Sequence, residues 1–233
     1  MIEALVVDLD DTLYLERDYV RSGFSFVARR LEDIGLVDAP TAFDHLWSEF
    51  EGGRRGDAFD SLARRFDFNA RASVPDLVAL YRAHRPTITL LEPDTLETLV
   101  TGGLLVGLIS DGPVETQMRK IEALGLAATF DVMVLTDSWG RDFWKPHPRA
   151  FEAVESFLGV PADHLAYVAD NPRKDFIAPN RRGWTSIRLR VQGQLHYEVE
   201  ATGYEARPQI ELSSLTGLAE RLGLRAEAGE SGS

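Results

Sequence analysis

The sequence predicts an α/β fold, a doubly wound parallel sheet interrupted once by an all-helical insertion. Three observations carry this expectation. Short runs such as Ala4-Leu5-Val6-Val7, Leu104 to Ile109 and Leu165 to Ala169 are apolar at successive positions, as strands buried on both faces of a parallel sheet require. Segments of helical spacing alternate with such runs from residue 93 onward. Between the first run and residue 93, Glu16 to about Arg85 keeps helical periodicity and contains no convincing strand.

Taken in order, the first strand covers Ala4 to Val7 and runs into Asp8-Leu9-Asp10-Asp11-Thr12-Leu13-Tyr14. In the insertion, Phe24, Val27, Leu31 and Ile34 recur at three- and four-residue spacing, which predicts a helix with one buried face. Further helices are expected over Ala42 to Phe50, Ala58 to Phe66 and Pro75 to Arg85. Then follow helix Pro93 to Thr101, strand Leu104 to Ile109, helix Val114 to Leu124 and strand Val132 to Leu135. Helix Arg149 to Leu158, strand Leu165 to Ala169, helix Phe176 to Arg182 and strand Thr185 to Leu189 complete the alternation. After Val191 the pattern weakens until Ile210-Glu211-Leu212 and a short amphipathic segment, Leu215 to Leu222. The small, polar tail Ala226 to Ser233 is expected to be disordered. The implied organisation is a core of residues 1–15 and 88–224, a helical insertion of 16–87 and a tail of 225–233.

Ligands of an open parallel sheet bind at the carboxyl ends of its strands. Four polar stations fall at that edge. In the first, alternation along an extended strand carries Asp8 and Asp10 to one side, where two like charges repel unless a cation or a shared proton intervenes. Mg²⁺ suits such a place, being a hard ion that takes one or two carboxylates with water and phosphate oxygens. An acidic turn capping the next helix is the plainer reading. In the second, Ser110 ends an apolar run and can donate to a phosphate oxygen, while Gly112 lets backbone amides approach an anion; Ser-Asp-Gly is also ordinary turn chemistry.

The third station is Phe143-Trp144-Lys145-Pro146-His147-Pro148, where two prolines offer Lys145 on a rigid stalk. The chain holds 22 Arg but only three Lys, at 120, 145 and 174, so a lysine here points to a compact ammonium set between a phosphate and a carboxylate. A solvated loop lysine is the alternative. In the fourth, Asp170 ends an apolar run and Asp175 follows across the Asn171-Pro172 turn, a spacing that brings both carboxyls to one rim, one for a metal and one to hold Lys145. Asp175 could instead cap the helix that follows.

In order and in residue type, these stations resemble the four motifs of the haloacid dehalogenase superfamily, over residues 4 to about 190. Its first motif matches Asp8, Asp10, Thr12 and Leu13, its second Ser110, its third Lys145 and its fourth Asp170 and Asp175; Ala169 stands where many members carry glycine. The resemblance implies a Rossmann-like core, an α-helical cap formed by the insertion, and Mg²⁺-dependent phosphatase chemistry. It implies that Asp8 is the nucleophile and Asp10 the acid and base. It further implies that Mg²⁺ is held by Asp8, the backbone carbonyl of Asp10, Asp170 and the neighbouring Asp175, and that Ser110, Lys145 and the amides of Asp11 and Asp111 grip the phosphoryl group. The substrate would be a small-molecule phosphate ester, with sugar phosphates ranked before nucleoside monophosphates. For its role Asp10 must hold a proton beside ionised Asp8, which like-charge repulsion favours by raising one pKa of the pair.

Bulk properties narrow the field. A net charge of −12 disfavours non-specific nucleic-acid binding, and the absence of cysteine excludes disulfides and thiolate chemistry. No apolar stretch approaches twenty residues and no signal-like segment opens the chain, so no membrane association and a cytoplasmic location are expected, as a monomer or homodimer. In the insertion, Arg54 and Arg55 form a glycine-flanked basic spot that reads first as a solvated loop, while Trp47, Phe50 and Phe59 read as core. Trp139, Trp144 and His147 read as packing beside the lysine loop. Three other functions compete. A dehalogenase has no leaving alcohol to protonate and would not need Asp10; a phosphomutase shares every station; a non-catalytic binding module would be expected to have lost one.

Overall fold

The computed structural model describes residues 1–68 and 72–223. The tail expected at 225–233 lies outside them. The described chain divides into two compact units, one of Met1–Glu16 with Thr89–Ser233 and one of Arg17–Ile88.

The first unit is built on a six-stranded parallel sheet of order β3-β2-β1-β4-β5-β6. Its strands are β1 (Ala4–Val7), β2 (Leu105–Ser110), β3 (Val132–Leu135), β4 (Leu165–Ala169), β5 (Thr185–Leu189) and β6 (Ile210–Leu212). β1 and β4 are buried at every position, which explains their unbroken apolar sequence. The stretch Ile210-Glu211-Leu212 becomes the edge strand, paired to β5 through Ile187 and Ile210. Because β1 lies between β2 and β4, successive connections leave it in opposite directions. The crevice at such a reversal is where open α/β sheets bind ligands.

The helices of this unit, numbered after the four of the insertion, are α5 (Pro93–Thr101), α6 (Val114–Ala123), α7 (Arg149–Leu158), α8 (Ile177–Arg182) and α9 (Leu215–Arg221). α7 and α8 end at Gly159 and Gly183, both left-handed, where a side chain would be strained. Phe151 packs edge-on against Tyr167 of β4 and against Trp184, with ring centroids 5.0 and 5.4 Å apart. The Trp184 indole N–H, buried with its ring, donates to Glu155 Oε1 at 2.6 Å.

The second unit comprises α1 (Glu16–Asp33), α2 (Ala39–Glu51), α3 (Ala58–Phe66) and α4 (Val74–Ala83). α2 and α4 start where Asp38 and Ser73 accept hydrogen bonds from the Thr41 and Asp76 amides, each with a proline in the first turn. α1 buries Phe24, Val27 and Leu31 as its spacing requires, whereas Ile34 lies past its end and is exposed. Phe24 contacts Phe50, Phe59 and Tyr81. At Gly23 a Cβ would come within 2.4 Å of the Tyr81 ring, so only glycine allows that approach. Among the described residues no helix is long and apolar enough to cross a membrane.

Candidate active site

All four polar stations lie at the carboxyl edge of the sheet. Asp8 directly follows β1 and its amide donates to Val168 O at 2.9 Å, continuing the ladder by one residue. There the strand stops: Asp10 bridges to Tyr14 and Asp11 adopts φ 52°, a left-handed conformation uncommon outside glycine. The extended strand expected through Asp10 therefore ends at Val7, with a bend at Leu9 and a turn from Asp11. Ser110 is the last residue of β2, Lys145 sits in the connection from β3 to α7, and Asp170 and Asp175 bracket the turn from β4 to α8. Only Asp10 keeps appreciable side-chain exposure among these carboxylates, at 23% against 5% for Asp8.

Three lysines organise the charges. Lys145 Nζ lies 2.9 Å from both Asp8 Oδ2 and Asp175 Oδ1, and donates to the Tyr167 hydroxyl at 2.9 Å. Burial works against its charge, yet Asp175 and Asp8 outweigh burial and hold its pKa well above the ordinary value. Lys174 Nζ lies 2.7 Å from Asp111 Oδ2, and Asp111 Oδ1 accepts from Thr136 Oγ1 and from the Lys145 amide. Lys120 Nζ lies 2.7 Å from Asp10 Oδ1. That oxygen also accepts the Tyr14 hydroxyl, and Gln117 Nε2 donates to Asp10 Oδ2 at 2.8 Å. Asp11 is engaged by near and distant partners: its carboxylate accepts the Glu16 and Leu195 amides, and its carbonyl accepts Gln194 Nε2.

Comparison with known proteins places the chain in a family. The model of the haloacid dehalogenase-like hydrolases matches residues 2–181, well over half of the chain. The chain belongs to the haloacid dehalogenase-like hydrolases. A glyceraldehyde 3-phosphate phosphatase of Methanocaldococcus jannaschii is 27% identical over 199 residues, 81% of this chain and 85% of that protein. The crystal structure of a HAD phosphatase from Thermococcus onnurineus covers 97% of this chain and 100% of its own at TM-score 0.58 and 23% identity. The L-2-haloacid dehalogenase of Xanthobacter autotrophicus covers the same shares at TM-score 0.62 and 20% identity. These two structures share the fold with this hydrolase, and the fold alone does not choose between their chemistries.

The donor set of this haloacid dehalogenase-like hydrolase suits a hard cation. Asp8, Asp170 and Asp175 each offer a carboxylate oxygen, all within 4.8 Å of one another and all buried. Among the described residues Asp170 Oδ2 has no hydrogen-bond partner, a costly state for a buried carboxylate that a cation would relieve. Burial, then Asp175, Asp11 and Asp8, push the Asp170 pKa well above its ordinary value. Burial likewise raises Asp8 to about 6, with Asp175 adding to it and Lys145 and Lys174 opposing. Asp11 is raised to about 7 by burial and by Glu16.

The Asp10 carboxyl stands outside the three grouped carboxylates and is engaged by Lys120, Tyr14 and Gln117. One expectation differs in detail. Within the Asp8 and Asp10 pair the raised pKa falls on Asp8 and not on Asp10. Burial opposes ionisation of Asp10, but the Lys120 ammonium and the hydrogen bonds of Lys120, Tyr14 and Gln117 prevail and lower its pKa, so Asp8 is the raised partner. Lys120, Gln117 and Lys174 were not expected at the site. The scarcity of lysine marks Lys120 and Lys174 as clearly as Lys145, and all three pair with carboxylates here. Ser110 Oγ is fully buried and accepts Gln117 Nε2 at 2.6 Å. Elsewhere, Arg54 pairs with Glu49 and Arg55 lies over the Phe50 ring. Trp144 donates to Asp137, Arg149 lies over Trp139, and His147 packs on Phe143.

Proposed function

We propose that this hydrolase is a Mg²⁺-dependent phosphomonoesterase that acts on a small metabolite through an aspartyl-phosphate on Asp8. The observation that carries the reading is Asp8 itself, buried, held by Lys145 at 2.9 Å and grouped with Asp170 and Asp175 in a set able to take a cation. Mg²⁺ held by Asp8, Asp170, the Asp10 carbonyl and the neighbouring Asp175 would supply neutralisation of the phosphoryl charge. Lys145 adds a fixed positive charge to the same end. Ser110 Oγ and the amides of Asp11 and Asp111 would hold the remaining phosphoryl oxygens.

In the first step an Asp8 carboxylate oxygen forms a bond to phosphorus, the bond from phosphorus to the ester oxygen breaks, and Asp10 gives that oxygen its proton. In the second, water attacks the aspartyl-phosphate, Asp10 takes the water's proton, and phosphate leaves with the Asp8 carboxylate restored. Against burial, Lys120 and the hydrogen bonds of Lys120, Tyr14 and Gln117 lower the Asp10 pKa in the resting site, and a phosphate dianion alongside would raise it by like-charge repulsion, so that Asp10 takes up a proton from solvent as the substrate binds.

The two chemistries named for the structural relatives differ in whether the leaving group needs a proton. A dehalogenase expels halide and needs no acid for it, so a second carboxylate with its own set of donors favours an oxygen leaving group. The named sequence relative, which acts on a small phosphorylated aldehyde, supports a compact substrate, with sugar phosphates ahead of nucleoside monophosphates. The helical unit, Arg17–Ile88, is proposed as the cap that selects the leaving group. The test is phosphate release from sugar phosphates, nucleotides and p-nitrophenyl phosphate, with Mg²⁺ or EDTA, by wild type and Asp8→Asn. Mg²⁺-dependent release lost in the variant supports the reading. Equal inertness of both proteins across the panel overturns it.

A further inference from the structure

The acid and base of the proposed reaction does not stand alone. α6 places Gln117 and Lys120 three residues apart, on one face, directly after the turn that follows Ser110. The two side chains divide the Asp10 carboxylate between them. Lys120 takes Oδ1 at 2.7 Å and Gln117 takes Oδ2 at 2.8 Å. Gln117 Nε2 also lies 2.6 Å from Ser110 Oγ and 2.8 Å from Asp111 O, so one amide joins the acid to the phosphate-binding end of β2. At Gly112, φ is +116° and a Cβ would sit 3.3 Å from the Gln117 side chain, so glycine both forms the turn and leaves room for this amide.

Exposure separates the roles. The Lys120 side chain is 5% exposed and the Asp10 side chain 23%, so the ammonium lies behind the carboxylate. We infer that Lys120, with Gln117, is a positioning residue that fixes the Asp10 carboxyl in the orientation that delivers a proton to the leaving oxygen. The inference rests on the phosphatase reading and deepens it. It follows from the geometry of general acid catalysis, which needs the donor within hydrogen-bond reach of the departing atom and loses rate when the donor wanders. An arginine at 120 would not substitute, because its planar fork demands more room than a point charge in a buried niche.

The test exploits what the proton is for. A p-nitrophenolate leaves without help, whereas an alkoxide must be protonated. Turnover of p-nitrophenyl phosphate and of glycerol phosphate is measured for wild type, Lys120→Met, Asp10→Asn and the double variant, with Mg²⁺ present. Loss of an oriented general acid costs on the order of 10²-fold, so kcat/KM of Lys120→Met on glycerol phosphate, which reports the first step and not the hydrolysis common to both esters, should fall by about that factor. The fall on p-nitrophenyl phosphate should be less than a tenth as large. Adding Lys120→Met to Asp10→Asn should cost nothing further on glycerol phosphate, as expected when two residues act through one function.

Equal losses of kcat/KM on both esters would overturn the inference, since a merely structural lysine harms both alike. A faster Lys120→Met enzyme would overturn it too, by making the ion pair a restraint. If folded wild type cleaves neither ester nor any other in the panel, the phosphatase reading fails first, and that failure is visible without any variant.

Discussion

Lys145 and Asp175 form an ion pair of 2.9 Å in which neither side chain is exposed to solvent. Removing one partner of such a pair strands the other charge in a medium that solvates it poorly. Asp175→Asn is therefore expected to destabilise the protein by about 3 kcal/mol. The urea midpoint of the variant, set against that of an exposed control such as Asp163→Asn, measures this. A variant as stable as the control would show that Asp8 alone satisfies Lys145.

The raised pKa of Asp8 makes stability depend on pH with a definite sign. The folded value is about 6, against the ordinary 3.8 taken for the unfolded chain. Below the unfolded value both states hold the proton and the contribution is fully present. Between the two values the folded state binds the proton more tightly, so stability falls as pH rises and is lost above about 6. Asp8→Asn, which carries no charge, should equal wild type near pH 4 in stability and exceed it by about 2 kcal/mol at pH 7, with EDTA present. Denaturant unfolding of both proteins across that range checks it, and a wild type more stable than Asp8→Asn at pH 7 would contradict it.

Mg²⁺ should relieve the same strain. A cation that binds the folded triad and not the unfolded chain stabilises by mass action, so the thermal midpoint of wild type should rise with Mg²⁺ concentration. Asp170→Asn removes the carboxylate whose Oδ2 has no hydrogen-bond partner among the described residues, and its midpoint should respond to Mg²⁺ much less. A full response in that variant would place the cation elsewhere.

Much of this was legible from the chain because it is local. The core strands are continuous apolar runs, and the residues just past them, Asp8 and Asp170, carry their chemistry at strand ends that periodicity locates within a residue or so. The Lys120 contact is of another kind. It joins residues 110 positions apart, and no local pattern announces which carboxylate a helix-borne lysine will reach. The rarity of lysine is a signal for it, and it applies equally to Lys120 and Lys174. The protonation order within Asp8 and Asp10 follows from the same unseen partner, since Lys120 is what keeps Asp10 charged. The turn at Asp11 is equally hidden, because it depends on the Leu195 amide and Gln194 from the far end of the chain.

The proposed covalent role of Asp8 is tested most directly by mixing the enzyme with a substrate labelled in its phosphoryl group, quenching with acid within the first turnover and mapping the labelled peptides. The predicted result is label on the peptide that contains Asp8, absent in Asp8→Asn and lost from wild type as free phosphate appears. Label on another residue, or phosphate release by Asp8→Asn at the wild-type rate, would contradict it.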